Sequence, residues 1–143
     1  MLFFEKLKPL ALLLLRVTVG TIFLTQGYAK LFGSLSKWLH WFPQHGFPSY
    51  FAYIAGGMEF FGGILLVLGL LTRVAGLFLA VEMGVAVWKV SLPHAGIYNV
   101  DGYGFPLMLG LASFTLAAVG AGLLSADALT FERAGKTRPK KRD

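Results

Sequence analysis

Four long apolar runs, broken by short polar segments, constrain this chain more than any other feature. They cover Leu10 to about Phe32, about Tyr50 to Leu71, Val74 to about Leu92, and Phe105 to Leu124. Each is close to the ~20 helical residues that cross ~30 Å of hydrocarbon. The expected fold is therefore all-α: an integral membrane four-helix bundle, with the bilayer as its first partner. Composition argues against a soluble alternative. Of 143 residues, 56% are hydrophobic and only 14% charged, too little polar surface to cover the core of so small a domain in water. The 18 glycines agree, since glycine is commoner in membrane helices than in soluble ones.

The connections predict the direction of insertion. Lys6 and Lys8 precede the first run as in a signal peptide, but the run continues past Arg16 without a small-residue cleavage site and reads as an uncleaved span. Thr72 and Arg73 form a tight turn between the second and third spans. In the segment Gly33–Ser49, Leu35, Trp38, Leu39 and Phe42 share one face at helical spacing. A short interfacial helix in the first outer loop is expected there, with Trp38 and Trp41 at headgroup level and Pro43 and Pro48 breaking it. Residues 93–104 read as a turn-rich loop. Nine basic residues (Lys6, Lys8, Arg73, Arg133, Lys136, Arg138, Lys140, Lys141, Arg142) fall on the side of the termini, and three (Lys30, Lys37, Lys89) on the other. The positive-inside bias predicts a multi-pass protein of the cell membrane, the plasma membrane, with both termini cytoplasmic. From Ser125 onward a short cytoplasmic helix and a disordered end are expected. The basic tail reads as an anchor on that side, with contact to anionic headgroups as the next reading and no nucleic acid as a partner.

Ionisable residues inside the spans carry the functional signal, because a charge at mid-bilayer costs roughly 2.5–3.5 kcal/mol or more. Arg16, Gly20, Phe23, Gly27 and Lys30 share one face of the first span, at ~100° per residue. Ala55, Gly56, Glu59, Gly62 and Gly63 share a face of the second, which puts Glu59 on a small-residue packing seam. In the third, Gly76, Ala80 and Gly84 form a ridge opposite Glu82, Ala86 and Lys89. At ~1.5 Å per residue Glu59 and Glu82 both lie roughly 13 Å deep. The expectation is one polar core, with Arg16 and Glu82 low, Glu59 central, and Gln26 and Lys30 toward the outer mouth. His94 and Asp101 are candidates at that mouth. Two readings of this core stand side by side: charges that only fix helix register, and a ligand or proton site formed by Arg16, Gln26, Lys30, Glu59 and Glu82.

Cofactor signals are few. The chain has no cysteine, so it holds no thiol nucleophile and no cysteine-ligated cluster. His40, His45 and His94 lack metal-ligand spacing on one helix, and no metal is expected. No histidine lies within a span to ligate haem.

Taken together, the motifs resemble the DoxX family of small four-helix membrane proteins. The first span, with Arg16, Gly20, Phe23, Gly27, Tyr28, Lys30 and Leu31, resembles that family's arginine–glycine–lysine opening. Glu59-Phe-Phe-Gly-Gly63, then Leu68-Gly-Leu-Leu-Thr-Arg73, resembles its second-span segment, and Gly120-Ala-Gly-Leu-Leu-Ser-Ala-Asp127 its closing segment. The resemblance covers about residues 10–128 and implies a DoxX-like transmembrane domain over 1–128 with a basic cytoplasmic tail over 129–143. Gly104 stands before Phe105-Pro106 where the family often has a glutamate, with Asp101 nearby, and Glu82 is not a familiar part of the pattern. The resemblance implies a membrane subunit of a quinone- or sulfur-linked oxidoreductase system, with no intrinsic cofactor and with quinone as the group it would contact. In that case Lys30 or Arg16 would donate to a quinone carbonyl and Glu59 would move protons. A protein partner or homo-oligomer goes with this reading. The alternative is a non-enzymatic membrane scaffold or assembly factor, and whether the chain is itself catalytic stays open between the two. A small transporter is weaker, because four short spans leave little room for a path.

Overall fold

The computed structural model describes residues 1–136, and side chains through Phe131. It is a bundle of four helices long and apolar enough to cross a membrane, over Leu2–Gly33, Phe51–Leu68, Thr72–Ala95 and Val100–Val119. No strand occurs among the described residues. In chain order the elements are α1 (Leu2–Tyr28), α2 (Leu35–Gln44), α3 (Phe51–Leu68), α4 (Thr72–Val85), α5 (Leu92–Ala95), α6 (Val100–Val119) and α7 (Ala126–Lys136). Two π-helical stretches interrupt the regular geometry. Ala29–Gly33 closes α1, and Ala86–Ser91 joins α4 to α5.

Glycine explains the pairing. α1 packs most extensively on α3, and α4 on α6, while α3 against α4 joins the two pairs. A methyl group added at Gly20 would lie 2.8 Å from the Val67 nitrogen and 2.9 Å from the Gly63 oxygen. One added at Gly63 would lie 2.5 Å from the Leu24 nitrogen and 2.7 Å from the Gly20 oxygen. Gly27 meets the Gly56 oxygen in the same way one layer further along. Backbone touches backbone along this seam, as small residues allow in membranes where water drives nothing together. Gly76 repeats the device on the other pair, beside the Ser113 oxygen. Gly84, expected on the same ridge, faces open space.

Val19, Phe23, Leu66, Ala75, Leu79, Met83, Leu109 and Leu116 fill the centre. Large apolar side chains such as Phe61, Phe78, Met108, Leu111 and Phe114 point outward. A soluble protein could not display so much apolar surface, and lipid accounts for it.

Several boundaries differ from expectation. The turn between α3 and α4 lies at Gly69–Leu71, with Gly69 at φ 70° and Leu71 at φ 49°, and Thr72 already begins α4. Asp127 caps that helix, its carboxylate accepting from the Leu71 and Thr72 N–H groups at 2.7 and 3.0 Å, where an acidic group meets the positive end of the helix dipole. The fourth spanning helix starts at Val100 and stops at Val119 instead of running from 105 to 124. The exposed carbonyls at its end are taken by Arg73, which donates to Ala118 at 2.7 Å and more weakly to Ala117 and Val119. The loop expected over 93–104 shrinks, because Pro93 sits in the first turn of α5, where a missing N–H costs nothing. α2 forms where predicted and runs through Pro43 to Gln44. α7 matches the expected short helix, and the expected disordered end lies outside the described residues.

Candidate functional site

Both π-helical stretches abut one cavity of about 500 Å³ at the end of the bundle that carries α2. π-helical turns shift the phase of the residues that follow and recur at functional sites. Here the first holds Lys30 and the second Ala86, Val90 and Ser91, all of which line the cavity. Trp38, Trp41 and Phe42 of α2 face it from one side, with Phe47 and Phe51 beside them and Phe105 and Pro106 of α6 on another wall. The rings of Trp38 and Trp41 meet edge to face at 5.4 Å, and Trp41 meets Phe42 in the same way at 5.2 Å. That geometry is favoured between aromatic rings and stiffens the wall.

Within this aromatic enclosure lies an ion pair. Lys30 donates to Glu59, with Lys30 9% and Glu59 1% exposed. Each charge would be costly alone at this depth, and together they neutralise one another. The Lys30 ammonium also lies 4.9 Å from the centre of the Trp38 ring, a cation–π contact strengthened by desolvation. Gln26 and Glu82 line the same cavity. The Glu82 Oε2 atom is buried and has no hydrogen-bond partner among the described residues.

The structure thus brings Gln26, Lys30, Glu59 and Glu82 together and leaves Arg16 out. Arg16 is 2% exposed, and its guanidinium donates to the carbonyls of Ala121 at 2.8 Å and Leu124 at 2.9 Å. The charge expected low in the polar core instead ties down the segment between α6 and α7. Helical phase puts Arg16 on an interior face, as observed. It does not identify the partner, because the carbonyls Arg16 meets are free only where α6 ends five residues short of Leu124.

His94 and Asp101 lie outside the cavity wall. His94 is exposed, with Nδ1 at 2.7 Å from the Val90 carbonyl and its ring 4.8 Å from that of His45. Asp101 is exposed in the first turn of α6. Among the described residues no group of three or more His, Asp or Glu is placed to hold a metal. Helical phase missed the aromatic walls. The clustering of aromatics between Gly33 and Phe51 is their signal in the sequence, where it equally fits interfacial anchoring.

With this geometry in view, the chain falls in a class of small four-helix membrane proteins, and the comparisons agree. The DoxX family profile matches residues 11–92. Over 120 residues the chain is 34% identical to the protein named "Putative oxidoreductase CatD" of Bacillus subtilis (strain 168), covering 84% of this chain and 87% of that one. It is 32% identical over 100 residues to an uncharacterized membrane protein of Mycobacterium tuberculosis, covering 66% of this chain and 61% of that one. It is 35% identical over 92 residues to an uncharacterized protein of Haemophilus influenzae, covering 64% and 67%. No solved structure matches significantly. The chain belongs to the DoxX family.

Proposed function

We propose that this chain is the membrane-embedded subunit of a redox system and that its cavity receives a lipophilic ring of the quinone class. Family membership and the name of the Bacillus subtilis relative support the link to redox systems. The observation that carries the ring is the cavity: aromatic walls around a buried Lys30–Glu59 pair. Its volume falls in the range of roughly 300–1,000 Å³ typical of small-molecule sites, which are apolar with a few polar groups that fix orientation.

The residues fit such a ring. Trp38, Trp41, Phe42 and Phe105 offer faces and edges for stacking. Lys30 keeps N–H groups beyond the one given to Glu59 and would donate to a ring oxygen. Glu59 holds that ammonium in place. A bound quinone would supply the capacity to take up and release electrons and protons. This chain has no cysteine to carry electrons itself, so the electron donor or acceptor is assigned to a protein partner.

A photoreactive azido-quinone tests this reading. In purified protein in lipid nanodiscs it should label peptides that contain Trp38–Phe42 or Glu82–Ser91, and excess unlabelled quinone should suppress the labelling. Labelling scattered over the lipid-facing surfaces of α4 and α6, without suppression, would count against the cavity.

A further inference from the structure

The charges of the cavity are unevenly satisfied, and that asymmetry selects a ligand. Glu59 is spent on Lys30. Glu82 lies on the same wall, and its Oε2 is buried with no partner among the described residues. Buried polar atoms are otherwise paired in folded proteins, and an orphan costs the full desolvation of the group. Helix packing does not require one at position 82. The neighbouring cavity positions on α4 and its extension are Val81, Met83, Val85 and Ala86, so an apolar residue would suit the wall.

We infer that Glu82 is the hydrogen-bond acceptor for a hydroxyl group on the aromatic ring that occupies the cavity, so that the site favours hydroxylated rings over otherwise identical rings without a hydroxyl. This rests on the proposal that the cavity binds a ring, and adds which chemical form it selects. The complement is specific. Lys30 offers N–H groups and no acceptor, while a glutamate side chain supplies acceptor oxygens. A ligand that satisfies both carries one oxygen that accepts from Lys30 and one hydroxyl that donates to Glu82. A hydroxylated, quinol-like ring has both; a simple hydrocarbon or an O-alkylated ring lacks the donor. Removing the matching hydroxyl leaves the Glu82 oxygen unpaired again, which is the strongest way a site discriminates between near-isosteres. Glu82 is therefore a specificity-determining residue, whereas Glu59 positions Lys30.

The test uses 4-nonylphenol and its methyl ether, 4-nonylanisole, as competitors of azido-quinone labelling in nanodiscs. In the wild type the phenol should protect the cavity peptides at a concentration about tenfold lower than the ether, the scale of one good hydrogen bond to a charged or strongly polar group. In Glu82→Met the ether should protect as in the wild type and the advantage of the phenol should vanish. Glu82→Met removes an orphan polar atom and keeps a helix-compatible side chain, so its melting temperature should be no lower than that of the wild type. Equal protection by phenol and ether in the wild type, or a phenol advantage that survives in Glu82→Met, overturns the assignment while leaving ring binding intact. Absence of any cavity labelling overturns ring binding and this assignment with it.

Discussion

At the scale of single residues, the informative fact is which charge each partner neutralises. Lys30 and Glu59 form a closed pair inside the bundle. Removing either partner strands the other, and such losses are about 3–5 kcal/mol. Lys30→Met and Glu59→Leu should therefore each destabilise the protein strongly, and the double variant should lose much less than their sum. A coupling of about 1–3 kcal/mol is expected, as for residues in direct contact. Arg16→Met with Glu82→Leu is the contrasting cycle. Arg16 is bound to the Ala121 and Leu124 carbonyls, so only its loss should cost stability, and the effects of the two substitutions should add to within about 0.5 kcal/mol. Both cycles are read as reversible unfolding in mixed detergent micelles. A strong Arg16–Glu82 coupling, or an additive Lys30–Glu59 pair, would contradict the contacts described above. Helical phase alone placed Arg16, Lys30 and Glu59 on interior faces, because a charge in hydrocarbon has nowhere else to go. Phase says nothing about which interior group it meets. That depends on where a neighbouring helix stops, and Gly120, at φ 92°, ends α6 earlier than its apolar run does.

At the scale of elements, the glycine seam decides how closely α1 and α3 approach. Gly20 and Gly63 each face the other's backbone oxygen, and a Cβ at Gly63 would fall 2.5 Å from the Leu24 nitrogen. Backbone cannot yield as a side-chain tip can, so Gly63→Leu must push the helices apart. The expected cost is at least the ~1–3 kcal/mol of ordinary overpacking. Gly57 lies on the same helix with nothing within 4 Å of its added Cβ, and Gly57→Ala should leave stability unchanged or raise it slightly. Thermal unfolding of the two variants in one detergent checks the pair; equal melting temperatures would mean that the seam does not set the packing. The four spans and α2 were legible in the sequence because length and apolar periodicity are local properties. Helix ends were less so. Pro43 reads as a breaker and Pro93 as the start of a loop, yet Pro93 lies in a first helical turn, where proline is tolerated, and Pro43 one residue from the end of α2. The π-helical stretches left no mark in the apolar pattern at all, although they put Lys30 and Ser91 on the cavity wall.

At the scale of the whole molecule, the two ends of the bundle differ in kind. The end carrying α7 is fastened by Arg73 on the last carbonyls of α6, by Arg16 on carbonyls that follow it, and by Asp127 on the start of α4. The end carrying α2 holds the cavity and the aromatic residues around it. Antiparallel spans assign Lys6, Lys8 and Arg73 to the first end and Lys30, Lys37 and Lys89 to the second, and the sequence adds six basic residues over 133–142, after the start of α7. Lys30 is already paired with Glu59, which sharpens the contrast. Basic residues close to span ends resist translocation, so the α7 end should face the cytoplasm and the cavity end the opposite side. Fusion reporters give the answer directly. Green fluorescent protein at Asp143 should fluoresce, and alkaline phosphatase inserted between Gly33 and Ser49 should be active. One reporter active and the other silent would put both points on the same side and break the four-span arrangement itself, because an even number of crossings between them is incompatible with α3, α4 and α6 all spanning. Two silent reporters would leave the bundle intact and reverse only its insertion, placing the cavity end on the cytoplasmic side.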